Sequence, residues 1–230
     1  MNVNSNSYTY GFAIVMVVLV AVLLSSASLG LKSRQDNNVK QEKMQSILAS
    51  VGVEVDRSES ETVYNNTIKA VYTIKGGEVV NDNRDLAFDI DMANAIKTES
   101  MEREVPLYVA QLEDQTYYIV PLRGKGLWGP IWGYLSLEAD GNTVVGANFA
   151  HKSETPGLGA EITTPMFTEP FKGKQISDAG EFKSIAVVKK GTANNDYAVD
   201  GISGGTITSN GVDEMLKDCL KPYASYFKNL

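Results

Sequence analysis

The first 31 residues contain no Asp, Glu, Lys or Arg, and Phe12 to Leu24 is continuously apolar. Ser25 to Leu31 extends that run with small residues. About 20 residues at 1.5 Å rise cross a bilayer core, so the stretch has few other fates. Tyr8 and Tyr10 stand where interfacial aromatics do. A cleavable signal peptide needs a basic stretch before its apolar run, and none is present. The expected organisation is a tail over 1–9, an uncleaved transmembrane anchor over 10–31, a juxtamembrane helix over 32–52 with Gly52 as its stop, and one domain over 53–230.

The whole formal charge of −7 lies beyond residue 31. A domain this acidic is a poor nucleic-acid binder, which needs clustered Lys and Arg. One cysteine, Cys219, rules out an internal disulfide. With His151 the only histidine, a Cys/His metal cluster is excluded as well. Cys219 reads as a small buried hydrophobe. Lys32, Arg34, Lys40 and Lys43 follow the anchor and no base precedes it, so the positive-inside count places the domain in the cytoplasm.

Residues 56–69 read as a second helix ending before the turn at Gly76-Gly77, and Asp91 to Lys97 as a short helix. From 106 the pattern is of strands. Leu107–Val109 and Tyr117–Val120 flank Glu113-Asp114-Gln115 as a hairpin. Asp140-Gly141-Asn142 joins the strands Trp132–Ala139 and Thr143–Phe149. Lys183 to Lys189 is a further strand. A C-terminal helix starts near Ser209 or Asn210, has Asp213 in its first turn, and breaks at Pro222. The fold class is α+β, an antiparallel-sheet domain behind one transmembrane helix.

Three stretches carry chemistry. Asp200-Gly201-Ile202-Ser203-Gly204-Gly205-Thr206-Ile207-Thr208-Ser209 sets hydroxyls among glycines just before a helix, a layout that admits phosphate. Thr206 is β-branched, so its hydroxyl has few rotamers, and Gly204 and Gly205 leave room beside it. His151-Lys152-Ser153-Glu154-Thr155-Pro156-Gly157-Leu158-Gly159 leaves a strand, with amides at Gly157, Leu158 and Gly159 facing a planar ring and Leu158 packing on it. Gly124 to Gly133 holds both tryptophans between two strands, and Trp128 suits a wall against a flat ligand. Each stretch also reads as an ordinary turn or helix cap, and no nucleophile–base pair or dinucleotide fingerprint stands out.

Taken together, Asp200-Gly201-Ile202-Ser203-Gly204-Gly205-Thr206, Glu154-Thr155-Pro156-Gly157-Leu158-Gly159 and Gly124-Lys125-Gly126-Leu127-Trp128 resemble the C subunit of Na+-translocating NADH:quinone reductases, which bears covalent FMN. The family pattern has alanine where Gly205 stands. The resemblance implies an FMN-binding domain with FMN joined to Thr206 by a phosphodiester. Ser203, Gly204, Gly205, Glu154, Thr155, Gly157, Leu158, Gly159 and Trp128 would be the other cofactor contacts. It implies attachment by a separate Mg2+-dependent flavin transferase that uses FAD, with Asp200 as part of the flavinylation motif, binding that metal, activating Thr206 or capping the turn. It also implies an electron-carrier role among the other members of an inner-membrane complex, no catalytic residue or metal site in this chain, and a flavin domain on the periplasmic side, against the charge count. The related FMN-bearing G subunit of the ferredoxin:NAD electron-transport complex and an anchored non-redox interaction module are the alternatives.

Overall fold

The computed structural model describes residues 5–228, so residues 1–4 of the expected tail lie outside the described residues. Helix α1 runs from Asn6 to Ser50 without a break at residue 31, and includes the end of the expected tail. It contains an exposed 18-residue stretch of mean hydropathy 2.7, long and apolar enough to cross a membrane. The chain divides into two compact units, Met1–Lys43 and Met44–Leu230, and the division falls within this helix. Gly52 (φ +80°) is the stop, as expected. The amide of Gly52 donates to Ala49 O and that of Val53 to Leu48 O, the reciprocal pair of a glycine-terminated helix end.

In the second unit, α2 (Ser60–Thr67) leads into strand β1 (Ile68–Lys75) and then β2 (Glu78–Asn81). Helices α3 (Arg84–Phe88) and α4 (Met92–Ala95) precede β3 (Val105–Leu112), β4 (Gln115–Lys125), β5 (Pro130–Leu137) and β6 (Val144–His151). These six strands form one antiparallel sheet in the order β2-β1-β3-β4-β5-β6. The expected helix over 56–69 is thus shorter, and its last residues open β1, a strand without a clear signature in the sequence. Burial along Ile68–Lys75 does not alternate strictly, because the strand bulges at both ends of its pairing. Glu113 and Asp114 turn the β3–β4 hairpin with φ of 49° and 65°.

Successive residues of these strands enter opposite cores. Leu107 and Val120 pack with α6 (Thr206–Phe227) on one face, whereas Tyr108 and Ile119 pack with Ile47, Leu48 and Tyr64 on the other. Between β6 and α6 come a 3-10 turn (Gly159–Thr163), α5 (Pro165–Thr168), the short pair β7 (Ser177–Asp178) and β8 (Glu181–Phe182), and a parallel pair, β9 (Ala186–Val188) with β10 (Ala198–Asp200). The expected strand Lys183–Lys189 contracts to β9, and it gains β10 as a partner.

Helix α6 does not break at Pro222. Proline has no N–H for Asp218 O, four residues back, and a buried guanidinium takes that carbonyl instead. Arg103 Nη2 donates to Asp218 O at 2.6 Å and pairs with Asp218 Oδ2 at 2.8 Å, with the arginine side chain 1% exposed. Neither Nε nor Nη1 of Arg103 has a partner among the described residues, so this bridge carries a desolvation cost. Cys219, in the next position, is buried as expected, and burial pushes its thiol up to about 11.

Arg103→Met should lower stability by about 1–3 kcal/mol, the cost of an orphaned buried acceptor. Pro222→Ala, which supplies an N–H, should recover part of it in the double variant. Urea melts of the detergent-solubilised protein, followed by tryptophan fluorescence, measure both; additive losses would show that the two sites are not coupled.

Candidate functional site

Parallel pairing sets Asp200 of β10 opposite Val188 of β9, and the Gly201 amide continues it by donating to Val188 O at 2.7 Å. The chain then turns through Ser203 and Gly204, whose φ of +77° favours glycine. A Cβ on Gly204 would lie 2.7 Å from Leu158 Cδ2, so packing excludes a side chain there as well. Gly205 caps α6 with no side-chain bond, and Thr206 is the first helical residue. The helix therefore begins three residues before the expected Ser209. Ser209 lies inside it, where its amide bonds Gly205 O and its hydroxyl accepts the Ile202 amide at 3.0 Å. Asp213 is correspondingly beyond the first turn, accepting the Val187 amide at 3.0 Å and pairing with Lys217.

This shift separates the hydroxyls. Thr206 and Ser203 face solvent, while Thr208 and Ser209 are buried. Thr208 Oγ1 donates to Glu154 Oε2 at 2.6 Å, and the Trp128 amide donates to Glu154 Oε1 at 2.8 Å. Glu154 is 4% exposed. Both oxygens of Glu154, a residue expected among the cofactor contacts, are engaged within the chain, where they join the loop at Trp128 to the first turn of α6. Gly159 is glycine for the same reason, since a Cβ there would stand 2.5 Å from Glu154 Oε2. The lone histidine is also structural, with His151 Nδ1 accepting the Glu154 amide at 3.1 Å.

Two of the three amides expected to face a ring are used within their own loop. Gly157 N–H donates to Glu161 Oε1 at 2.9 Å and Leu158 N–H to Thr155 O at 3.1 Å. Thr155 thus serves through its carbonyl. The Leu158 side chain remains exposed, as do Trp128, Leu127 and Ile207. The expected tryptophan loop is a tight turn, Gly126–Gly129, closed by Gly126 N–H to Gly129 O at 2.8 Å. Trp132 is not part of it; it lies on β5 beneath the Arg123 guanidinium, 5.2 Å from its ring centre. At Gly205 a Cβ would approach Ile202 Cγ2 at 3.1 Å and Leu158 C at 3.3 Å, so glycine relieves local crowding where the related pattern has alanine.

Two grooves of about 460 and 450 Å³ flank Gly201–Ser203. Thr206, Ser203 and Gly204 line the first, together with Val188, Lys189 and Lys190. Gly157, Ser203 and Asp200 line the second, with Met166, Phe167 and Lys190. Sequence reasoning does not single out the two lysines, whose only signal is a basic pair at the exit of an expected strand. Asp200 Oδ1 accepts the amides of Ala193 (2.9 Å) and Thr192 (3.1 Å). Amide donors at Ala193 and Gly191 hold its carboxyl below the usual range.

The chemistry of this surface fits FMN. An exposed hydroxyl opens on a groove with two cations, Leu158 and Ile202 pack against the glycines beside it, and the exposed side chains of Leu158 and Trp128 belong to the flanking loops.

An FMN-binding domain model matches residues 126–221. The C subunit of the Na(+)-translocating NADH-quinone reductase of Haemophilus ducreyi is 31% identical over 226 residues, 90% of this chain and 88% of its own. That of Vibrio anguillarum is 32% identical, over 83% of this chain and 80% of its own. The crystal structure of the corresponding Parabacteroides distasonis protein superposes with a TM-score of 0.79 at 48% identity, covering 86% of this chain and 96% of that one. Shewanella oneidensis NqrC superposes at 0.67 with 25% identity, over 83% and 99%. With this identity over most of both chains and the same overall fold, the chain belongs to the C-subunit family (NqrC) of the Na(+)-translocating NADH-quinone reductase.

Proposed function

We propose that this chain carries FMN covalently on Thr206 and relays electrons within a Na+-translocating NADH-quinone reductase. The observation that carries the reading is the division of the two threonines. Thr206 is exposed at the first groove, while Thr208, two residues on, is buried and bonded to Glu154. Only the former offers a hydroxyl to an incoming phosphate.

In the attachment reaction the Thr206 Oγ1–phosphorus bond forms as the pyrophosphate P–O bond of FAD breaks. AMP leaves, and the hydroxyl proton passes to the medium. A separate flavin transferase, with Mg2+, supplies the activation that an aliphatic alcohol needs. The diester keeps one negative charge at the start of α6, worth about 0.3–1 kcal/mol of favourable helix interaction. Ser203 is exposed beside the attachment point, and the exposed Leu158 and Trp128 side chains offer apolar surface to the ring system. FMN supplies the redox chemistry, and the protein supplies position and charge.

Covalent attachment keeps the cofactor in place in either redox state, which suits a relay between other subunits of the complex. The relatives named above belong to the NADH-quinone reductase, which favours that complex over the ferredoxin-linked one. The apolar stretch of α1 anchors the chain in the bilayer, with the flavin domain on the periplasmic side. Four basic residues after the anchor argue for the opposite side, but the assembled complex outweighs so small an excess.

Thr206→Val should abolish flavin fluorescence in denaturing gels of protein matured with the transferase. Thr208→Val should keep it, while losing about 1–3 kcal/mol of stability through the unpaired Glu154 oxygen. Fluorescence lost with Thr208→Val in a folded protein, and kept with Thr206→Val, would move the site by two residues.

At pH 8 a thiol with a pKa near 11 is roughly one part in a thousand thiolate, so Cys219 should resist iodoacetamide until the protein unfolds. Its silence allows a cysteine placed at exposed Lys172 to report topology through a membrane-impermeant maleimide. Labelling once the outer membrane is permeabilised is expected; labelling only after the inner membrane is broken would refute a periplasmic domain.

A further inference from the structure

We propose that Asp200 acts as a positioning residue: it holds the turn after β9 so that Lys189 and Lys190 stand in the groove beside Thr206 and take the phosphates of the incoming flavin nucleotide. This rests on the reading that Thr206 is the attachment point.

The chain leaves β9 at Val188 and turns at once through Lys189, Lys190 and Gly191, the last with φ +82°. The turn is closed from within by Thr192, whose amide and hydroxyl both donate to Lys189 O, at 3.0 and 2.6 Å. It is fixed from outside by Asp200, whose Oδ1 takes the Thr192 and Ala193 amides. Parallel pairing makes this possible, because Asp200 lies opposite Val188, directly beside the start of the turn. An antiparallel partner would have placed the carboxylate at the other end of β9.

The lysines explain why the turn matters. The chain carries −7 overall, so an anionic nucleotide needs a local cationic patch. Among the described residues, Lys189 and Lys190 are the charged ones lining the groove that holds Thr206, and no acidic one lines it. Lys190 also lines the second groove, so one residue serves both sides of the Gly201–Ser203 loop.

The geometry opposes the other roles open to Asp200. It lines the second groove, whereas Thr206 lines the first, and Thr206 is not among its hydrogen-bond partners in the described residues. Its Oδ1 is taken up by amide N–H donors of the turn, with the Lys190 charge nearby. Asparagine retains the acceptor oxygen that this role needs and lacks the charge that a base or metal ligand needs.

The test uses the full-length protein in detergent, FAD, Mg2+ and purified flavin transferase, with covalent flavin fluorescence followed over time in denaturing gels. Asp200→Asn should react within about threefold of the wild type, because the amide oxygen still accepts both N–H groups. Asp200→Ala should slow by roughly tenfold or more, having lost both charge-assisted bonds. The double variant Lys189→Gln/Lys190→Gln should slow by roughly tenfold and lose most of the salt dependence shown by the wild type.

A second readout is independent of flavin. Trypsin should cut after Lys189 or Lys190 much faster in Asp200→Ala than in the wild type or Asp200→Asn, since only the alanine frees the turn. Asp200→Asn as inert as Asp200→Ala, with its turn still protected, would overturn the positioning role in favour of a base or metal ligand. A lysine double variant reacting at the wild-type rate would overturn the phosphate role. Wild-type protein that took up no covalent flavin would instead overturn the Thr206 reading itself.

Discussion

The carboxylate of Glu154 is the interaction on which the functional end of this domain depends. A carboxylate almost withdrawn from water is tolerated only when donors surround it. Its donors come from two distant parts of the chain, the amide of Trp128 in the β4–β5 turn and the hydroxyl of Thr208 in α6. The fit is close on every side, since side chains at Gly126 or Gly159 would collide with its oxygens. Three loops that meet around Glu154 are therefore held as one body. The helix that begins at Thr206 is fixed by its third residue, leaving its first residue outside the bond and open to solvent.

That arrangement also explains why the glycines gather where they do. Gly126 and Gly159 make room for Glu154. Gly204 takes a backbone conformation that other residues rarely adopt, against the side chain of Leu158. The glycine-rich character of these loops thus serves close packing as much as access for a ligand. At the position of Gly205 the same constraint is a matter of fit: the alanine of the family pattern would require Ile202 and Leu158 to give way by a few tenths of an ångström.

Away from the site, the long helix α6 depends on a comparable substitution of partners. Proline within a helix removes one bond, and a fully buried arginine from a preceding loop restores a donor to the freed carbonyl. The helix therefore continues past Pro222 to Phe227 and covers one face of the sheet. The loops that surround Thr206 are consequently set on a rigid base, with the sheet behind them and a continuous helix leading away.

Much of this is legible from local chemistry. A charge-free apolar run states its length and composition directly, Gly52 marks a helix end, and Glu113-Asp114 and Asp140-Gly141 mark hairpins, because each depends on neighbours within a few residues. The motif residues around Thr206, Glu154 and Trp128 are also visible, as is their likeness to the flavin-bearing family. The tertiary structure alone decided which hydroxyl is free and which is bonded, that Glu154 braces the loops, that α6 starts at Thr206 and survives Pro222, and that Lys189 and Lys190 enter the groove. Each of these rests on a partner far along the chain or on a neighbouring strand: Thr208 on Glu154, Asp218 on Arg103, Asp200 on the turn after β9. Sequence carries the preference of each residue for its neighbours, but a hydrogen bond across the fold exists only once the sheet has brought both ends together.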